Sequence, residues 1–94
     1  MRIKTVTILG RKIPVTHTAP KDDSIGEFTN MPIGIRVNDN LEGSDYRRVL
    51  IHECVHAALA ISGIAGYQIS EEVEESICTV MESAFEDILK SLSK

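Results

Sequence analysis

No apolar run in this sequence approaches the ~20 residues that a membrane-crossing helix needs. The opening Met1-Arg2-Ile3-Lys4-Thr5 also lacks the continuous apolar stretch of a signal peptide. Neither a membrane nor export is therefore expected. Basic clusters are scarce as well. Lys and Arg gather only in short pairs such as Arg11-Lys12 and Arg47-Arg48, and the net charge is −4. That balance excludes the basic surface of a nucleic-acid-binding protein. Cysteine is limited to Cys54 and Cys78. Two thiols without a secretory signal read as reduced and buried, which points to a cytoplasmic protein rather than a disulfide-stapled one. Internal repeats and low-complexity segments are missing.

What is present is ordinary for a globular protein: 43% hydrophobic and 26% charged residues in 94 positions. A chain this short forms one domain with a modest core, and a bound metal is a recognised supplement to such a core. Thr5-Val6-Thr7-Ile8-Leu9 alternates polar and apolar residues as a half-buried strand does. Gly10-Arg11 supplies a turn, and Lys12-Ile13-Pro14-Val15-Thr16 returns, with Pro14 marking an edge or a bulge. Residues 18–31 are turn-rich, from Ala19-Pro20-Lys21-Asp22-Asp23-Ser24 to Gly26 and Asn30, and read as a loop. Pro32 to Val37 reads as a third strand. The first helix is expected from Ser44 or Asp45 as N-cap to about Ile61, stopped by Ser62-Gly63. The second is expected from Ser70 as N-cap to about Leu92. Three strands over about residues 4–37, followed by two packed helices over about 45–61 and 70–92, make an α+β fold.

The first helix carries His52-Glu53-Cys54-Val55-His56. Residues four apart lie on one helix face, so two imidazoles can reach one tetrahedral zinc ion. Glu53 lies about 100° round the helix from His52. It can reach a zinc-activated water without ligating the metal, which suits a general base. The motif is embedded in Val49, Leu50 and Ile51 on one side and Ala57, Ala58, Leu59 and Ala60 on the other. On so apolar a helix, two histidines and a glutamate need partners, and a metal satisfies them together. Cys54 falls on the opposite side of the helix and reads as a small core residue.

A catalytic zinc takes a third protein ligand. The extension that would supply another histidine is absent, because Leu59 and Ser62 stand where Gly and His would be. His17 is the remaining histidine, at the end of the hairpin. The second helix offers Glu71, Glu72, Glu74, Glu75 and Glu82. With Val73 at 0°, its apolar stripe centres near about 80° and Glu74 falls near about 100°, inside the stripe. If that stripe packs on the first helix, Glu74 is the expected third ligand, followed by Glu75 and then Glu71. Dipole stabilisation at a helix N-terminus accounts for Glu71, Glu72 and Glu75 without a metal.

Leu50-Ile51-His52-Glu53-Cys54-Val55-His56-Ala57 followed by Ser70-Glu71-Glu72-Val73-Glu74-Glu75 resembles the zincin metallopeptidases, within them the gluzincins, and most of all their minimal phage and prokaryotic forms. The resemblance implies a single zincin-like domain over residues 1–94, His-Glu-His ligation of zinc, and Glu53 as general base. It also implies hydrolysis of a peptide or protein substrate. An edge strand beside the cleft, here Ile33 to Val37, would hold that substrate extended. No residue is certain to stabilise an oxyanion; Tyr67, between the helices, is the candidate. A zinc-binding regulatory or interaction module with little turnover is the alternative, and the intact Glu53 favours the enzyme.

Overall fold

The computed structural model describes residues 2–20, 24–65 and 67–93. Lys21-Asp22-Asp23 in the expected loop and Gly66 beyond the first helix lie outside the described residues. The order of elements is β1 (Thr5–Ile8), β2 (Arg11–Thr18), β3 (Gly26–Asn30), β4 (Ile33–Asn38), α1 (Gly43–Ile61) and α2 (Glu71–Leu92). The class is α+β as expected, but the sheet has four strands rather than three. Residues 26–30, read as part of a loop, form the added strand. Gly26-Glu27-Phe28-Thr29-Asn30 lacks the β-branched run that marks a strand by itself, and its order comes from pairing with β4. The two strands meet antiparallel from Gly26↔Val37 to Asn30↔Ile33, closed by Met31-Pro32.

The sheet order is β1-β2-β4-β3. β1 and β2 are antiparallel, and β2 and β4 are parallel. β4 is therefore an inner strand, and the edge position expected of Ile33–Val37 belongs to β3. Pro14 sits within β2 at the point where its neighbours change. Residues 11–14 pair with β1, and residues 15–18 pair with β4. At Pro14 the β4 side of the strand is thus free, so the missing N–H removes no ladder bond there. The β1–β2 turn is Leu9-Gly10, one residue earlier than expected, with φ of 51° and 83°. Positive φ at both central positions suits the twist of a two-residue hairpin, and Gly10 adopts it freely.

One face of the sheet is covered by α1. Ile13 and Val15 from β2, Ile35 and Val37 from β4, and Val49 and Ala57 from α1 form the buried core, with Leu50, Cys54 and Tyr46 packed around it. The core is aliphatic and small. The other face holds a buried polar cluster. Arg36 donates from Nε to Glu27 (3.1 Å) and from Nη1 to Asn38 Oδ1 (2.7 Å) and Thr18 Oγ1 (3.0 Å). Its Nη2 donates to both oxygens of Ser24. These bonds fasten the start of β3 to the two inner strands.

α1 starts at Gly43, slightly before the expected Ser44 or Asp45, with Glu42 at the N-cap and no side-chain cap bond. It ends at Ile61, where Gly63 turns left-handed at φ 81°. Ser70 caps α2 as expected, accepting from the Val73 N–H at 3.2 Å. α2 runs antiparallel to α1 and packs on no other helix or strand among the described residues. Arg47 near the start of α1 donates to both carboxylate oxygens of Glu86, with Nη2–Oε1 at 2.7 Å. Among the described residues, no helix is long and apolar enough to cross a membrane.

Candidate metal centre

α1 and α2 bring two histidines and three carboxylates together. His52 and His56, one turn apart on α1, have ring centroids 5.0 Å apart. Glu75 lies between them. One of its oxygens is 2.8 Å from His52 Nε2 and the other is 3.1 Å from His56 Nε2. The remaining ring nitrogens are also occupied. His52 Nδ1 is 3.0 Å from Glu82, and His56 Nδ1 is 2.6 Å from Glu74. Both imidazoles are thus held at one nitrogen by a separate carboxylate, and their other nitrogens converge on Glu75.

This placement corrects the expected phase of α2. Only one edge of its apolar stripe faces α1: Cys78 is fully buried, whereas Val73 and Ile88 near the other edge are about half-exposed. The residues turned towards α1 are Glu74, Glu75, Cys78, Glu82 and Glu86, a polar strip spaced three or four residues apart from Glu75 onwards. Glu75, expected to point away, meets both histidines. Glu74, expected to be the third ligand, meets His56 at Nδ1. Glu82, one of the five candidate ligands, meets His52 at Nδ1, and the spacing of 75, 78, 82 and 86 is the sequence signal of this second face. Glu71 is exposed and outside the cleft.

Cys78 is the donor that the sequence reading passed over. Its side chain is fully buried, and its Sγ and a ring nitrogen from each of His52 and His56 all lie within 4.8 Å of one another. Those three residues could hold a metal ion. Without one, Cys78 is a thiol, because burial and then the Glu75 carboxylate push its pKa up to about 12. Cys54 packs on the core as expected, and burial raises its thiol to about 11. Both cysteines are free.

Glu53 is buried at 7% exposure and lines the same cleft as His52 and His56. Burial raises its pKa above the ordinary carboxylate value, and the two neighbouring histidines oppose the rise. The cleft has a volume of about 530 Å³. Its opposite wall is the start of β3, Ser24 to Phe28. Gly26 permits that closeness, since a Cβ there would lie 2.7 Å from Val49 Cγ1 and 3.1 Å from the Arg36 carbonyl oxygen. The cleft wall therefore contains the edge strand that the sequence reading had placed one hairpin arm later.

Two further candidates lie elsewhere. Tyr67 is 90% exposed and does not line the cleft. His17 stacks on Tyr46, with Nε2 2.9 Å from the hydroxyl, and takes no part in the cleft. Burial first and the Arg2 guanidinium second lower its pKa. No family model, curated protein or solved structure matches this chain.

The donor set suits a borderline-soft divalent ion. Imidazole nitrogen with carboxylate or thiolate is what zinc accepts, whereas calcium and magnesium take oxygen. A carboxylate of this type on the free nitrogen of each imidazole is also the usual support for a ligating histidine.

Proposed function

We propose that the chain is a cytoplasmic zinc-dependent metallopeptidase with a minimal zincin-like fold. His52, His56 and Glu75 hold the metal and Glu53 is the general base. The observation that carries the reading is the Glu75 carboxylate spanning the two Nε2 atoms while Glu74 and Glu82 hold the two Nδ1 atoms. On this reading Glu74, the third ligand expected from helical phase, orients His56 instead.

A zinc ion supplies Lewis acidity to a substrate carbonyl and makes water acidic enough to attack near neutral pH. The chain's own residues do the rest. Glu53, buried beside the histidines, accepts a proton from the attacking water at its carboxylate and returns it to the leaving amine. β3 presents a free edge along the cleft, where an extended peptide can pair through its backbone. Glu74 and Glu82 keep the imidazoles in one orientation, so the nitrogens need no reorganisation. Glu53→Gln tests the chemistry. The variant should bind zinc like the parent and lose hydrolysis of an unfolded protein substrate by a factor of about 10² or more. Hydrolysis at the parental rate would remove Glu53 from the mechanism.

A second reading is supported by Cys78. His52, His56 and Cys78 would make a site of a structural or regulatory kind, in a module that keeps zinc without turning over peptide. Cobalt separates the two readings. A thiolate ligand gives an intense sulfur-to-cobalt charge-transfer band that Cys78→Ser abolishes, and ligation by Glu75 gives none.

A further inference from the structure

Resting on the peptidase reading for the identity of the guest, an extended polypeptide, we infer that Arg36 is a positioning residue for substrate. It acts from the sheet face that α1 leaves uncovered. From there its guanidinium holds Ser24 to Glu27, the cleft wall, where the β3 edge can meet a peptide. Arg36 does not itself line the cleft. Its five N–H bonds are matched to five acceptor atoms. Nη1 is spent on Thr18 in β2 and Asn38 in β4, which anchors the guanidinium to the inner strands. The other donors hold the wall. Nε donates to Glu27 at 3.1 Å, and Nη2 donates to the Ser24 carbonyl at 3.3 Å and to Ser24 Oγ at 3.2 Å. Ser24 Oγ passes the hold on, donating to the Gly26 carbonyl at 2.8 Å.

The wall needs such an anchor. β3 is an edge strand, and its ladder with β4 ends at Gly26↔Val37. Beyond that pair the Asn38 N–H donates to the Ile25 carbonyl at 3.0 Å. A strand end that starts on glycine loses much backbone freedom on ordering, and such ends open first. A wall that has to be ordered whenever a peptide arrives takes that ordering out of the affinity. Arg36 orders it beforehand. Lysine does not replace it, because a single ammonium with three donors lacks the planar fork that spans these acceptors. Ile35 and Val37, on either side of Arg36 in β4, point into the core, so the core is built without the Arg36 side chain.

Peptide binding is read in the zinc-loaded Glu53→Gln protein, where turnover does not interfere, with fluorescein-labelled casein as the unfolded polypeptide. Adding Arg36→Lys should raise the dissociation constant by about tenfold or more. Amide hydrogen exchange should quicken at residues 25–28 and stay unchanged in α1. Zinc affinity, read by chelator competition, should also stay unchanged. Ser24→Ala leaves Arg36 and the core in place and should move binding and exchange the same way by about two- to fivefold, which keeps the test if Arg36→Lys does not fold. Unchanged casein affinity in both variants overturns the inference, whether or not exchange quickens. So does weaker binding that comes with faster exchange in α1 or lost zinc affinity, which would make Arg36 a general support of the fold. Absence of casein binding to the Glu53→Gln protein overturns it too. The expected pattern of binding in a chain whose parent form does not hydrolyse casein would uphold the role of Arg36 and remove the peptidase reading.

Discussion

Glu74 Oε2 lies 2.6 Å from Nδ1 of His56, on the side of the ring away from Nε2, the nitrogen that Glu75 meets. The contact gives Glu74 a strong hold on the imidazole and leaves Nε2, beside Glu75, as the nitrogen that could take a metal ion. It also explains why a carboxylate that is only about one-fifth exposed needs no metal of its own.

That division of labour predicts unequal effects. Glu75→Ala should lose most zinc affinity. Glu74→Ala and Glu82→Ala should each weaken it by about 10–100-fold, the usual loss when the support of a ligating histidine is removed. A competition titration with a chromophoric chelator reads all three. The reverse ranking of Glu74 and Glu75 would make Glu74 the ligand.

The Arg47–Glu86 pair ties α2 to α1 and should make stability depend on pH. The hydrogen bonds from Arg47 hold the Glu86 carboxyl below its ordinary pKa. A depressed acid stabilises the fold above its unfolded pKa, ~4.3, and that stability is lost as pH falls through the folded value. Glu86→Gln should therefore narrow the difference in melting temperature between neutral pH and pH near 4. Parallel pH profiles for the two proteins would show that the pair contributes nothing to acid sensitivity.

Leu9 occupies a left-handed conformation at φ 51° in the β1–β2 turn, and its side chain is 67% exposed. A bulky residue is strained there by roughly 1–2 kcal/mol, whereas Asn tolerates it. Leu9→Asn should create the favoured Asn-Gly turn and raise stability by about 1 kcal/mol in urea unfolding. A loss of stability would mean that Leu9 contributes through packing that outweighs the strain.

The sequence made some of this legible and hid the rest for physical reasons. His52, Glu53 and His56 were readable because i and i+4 share a helix face wherever that helix goes. The end of α1 and the start of α2 were readable from Gly63 and Ser70, whose capping chemistry is local. The direction of α2 was not. Periodicity tells which residues share a face, but not which neighbour that face meets. Val73, Ile77 and Ile88 share a stripe as read, but its centre is turned away from α1, and Glu74 and Cys78 towards its edge are what meet that helix. β3 was hidden because Gly26 and Asn30 look like turn residues. Gly26 is there because Val49 leaves no room for a Cβ. Cys78 was passed over because a lone buried cysteine reads as packing until the fold sets it beneath two histidines.

Zinc content tests the account most directly. Protein prepared without chelators should carry about one zinc per chain, and its removal should lower the melting temperature, because a ligand bound to the folded state alone adds its binding energy to stability. His52→Ala/His56→Ala should bind none at the same site. No transition metal in elemental analysis, no uptake of added zinc, and an unchanged melting temperature would contradict the metal centre and the peptidase built on it.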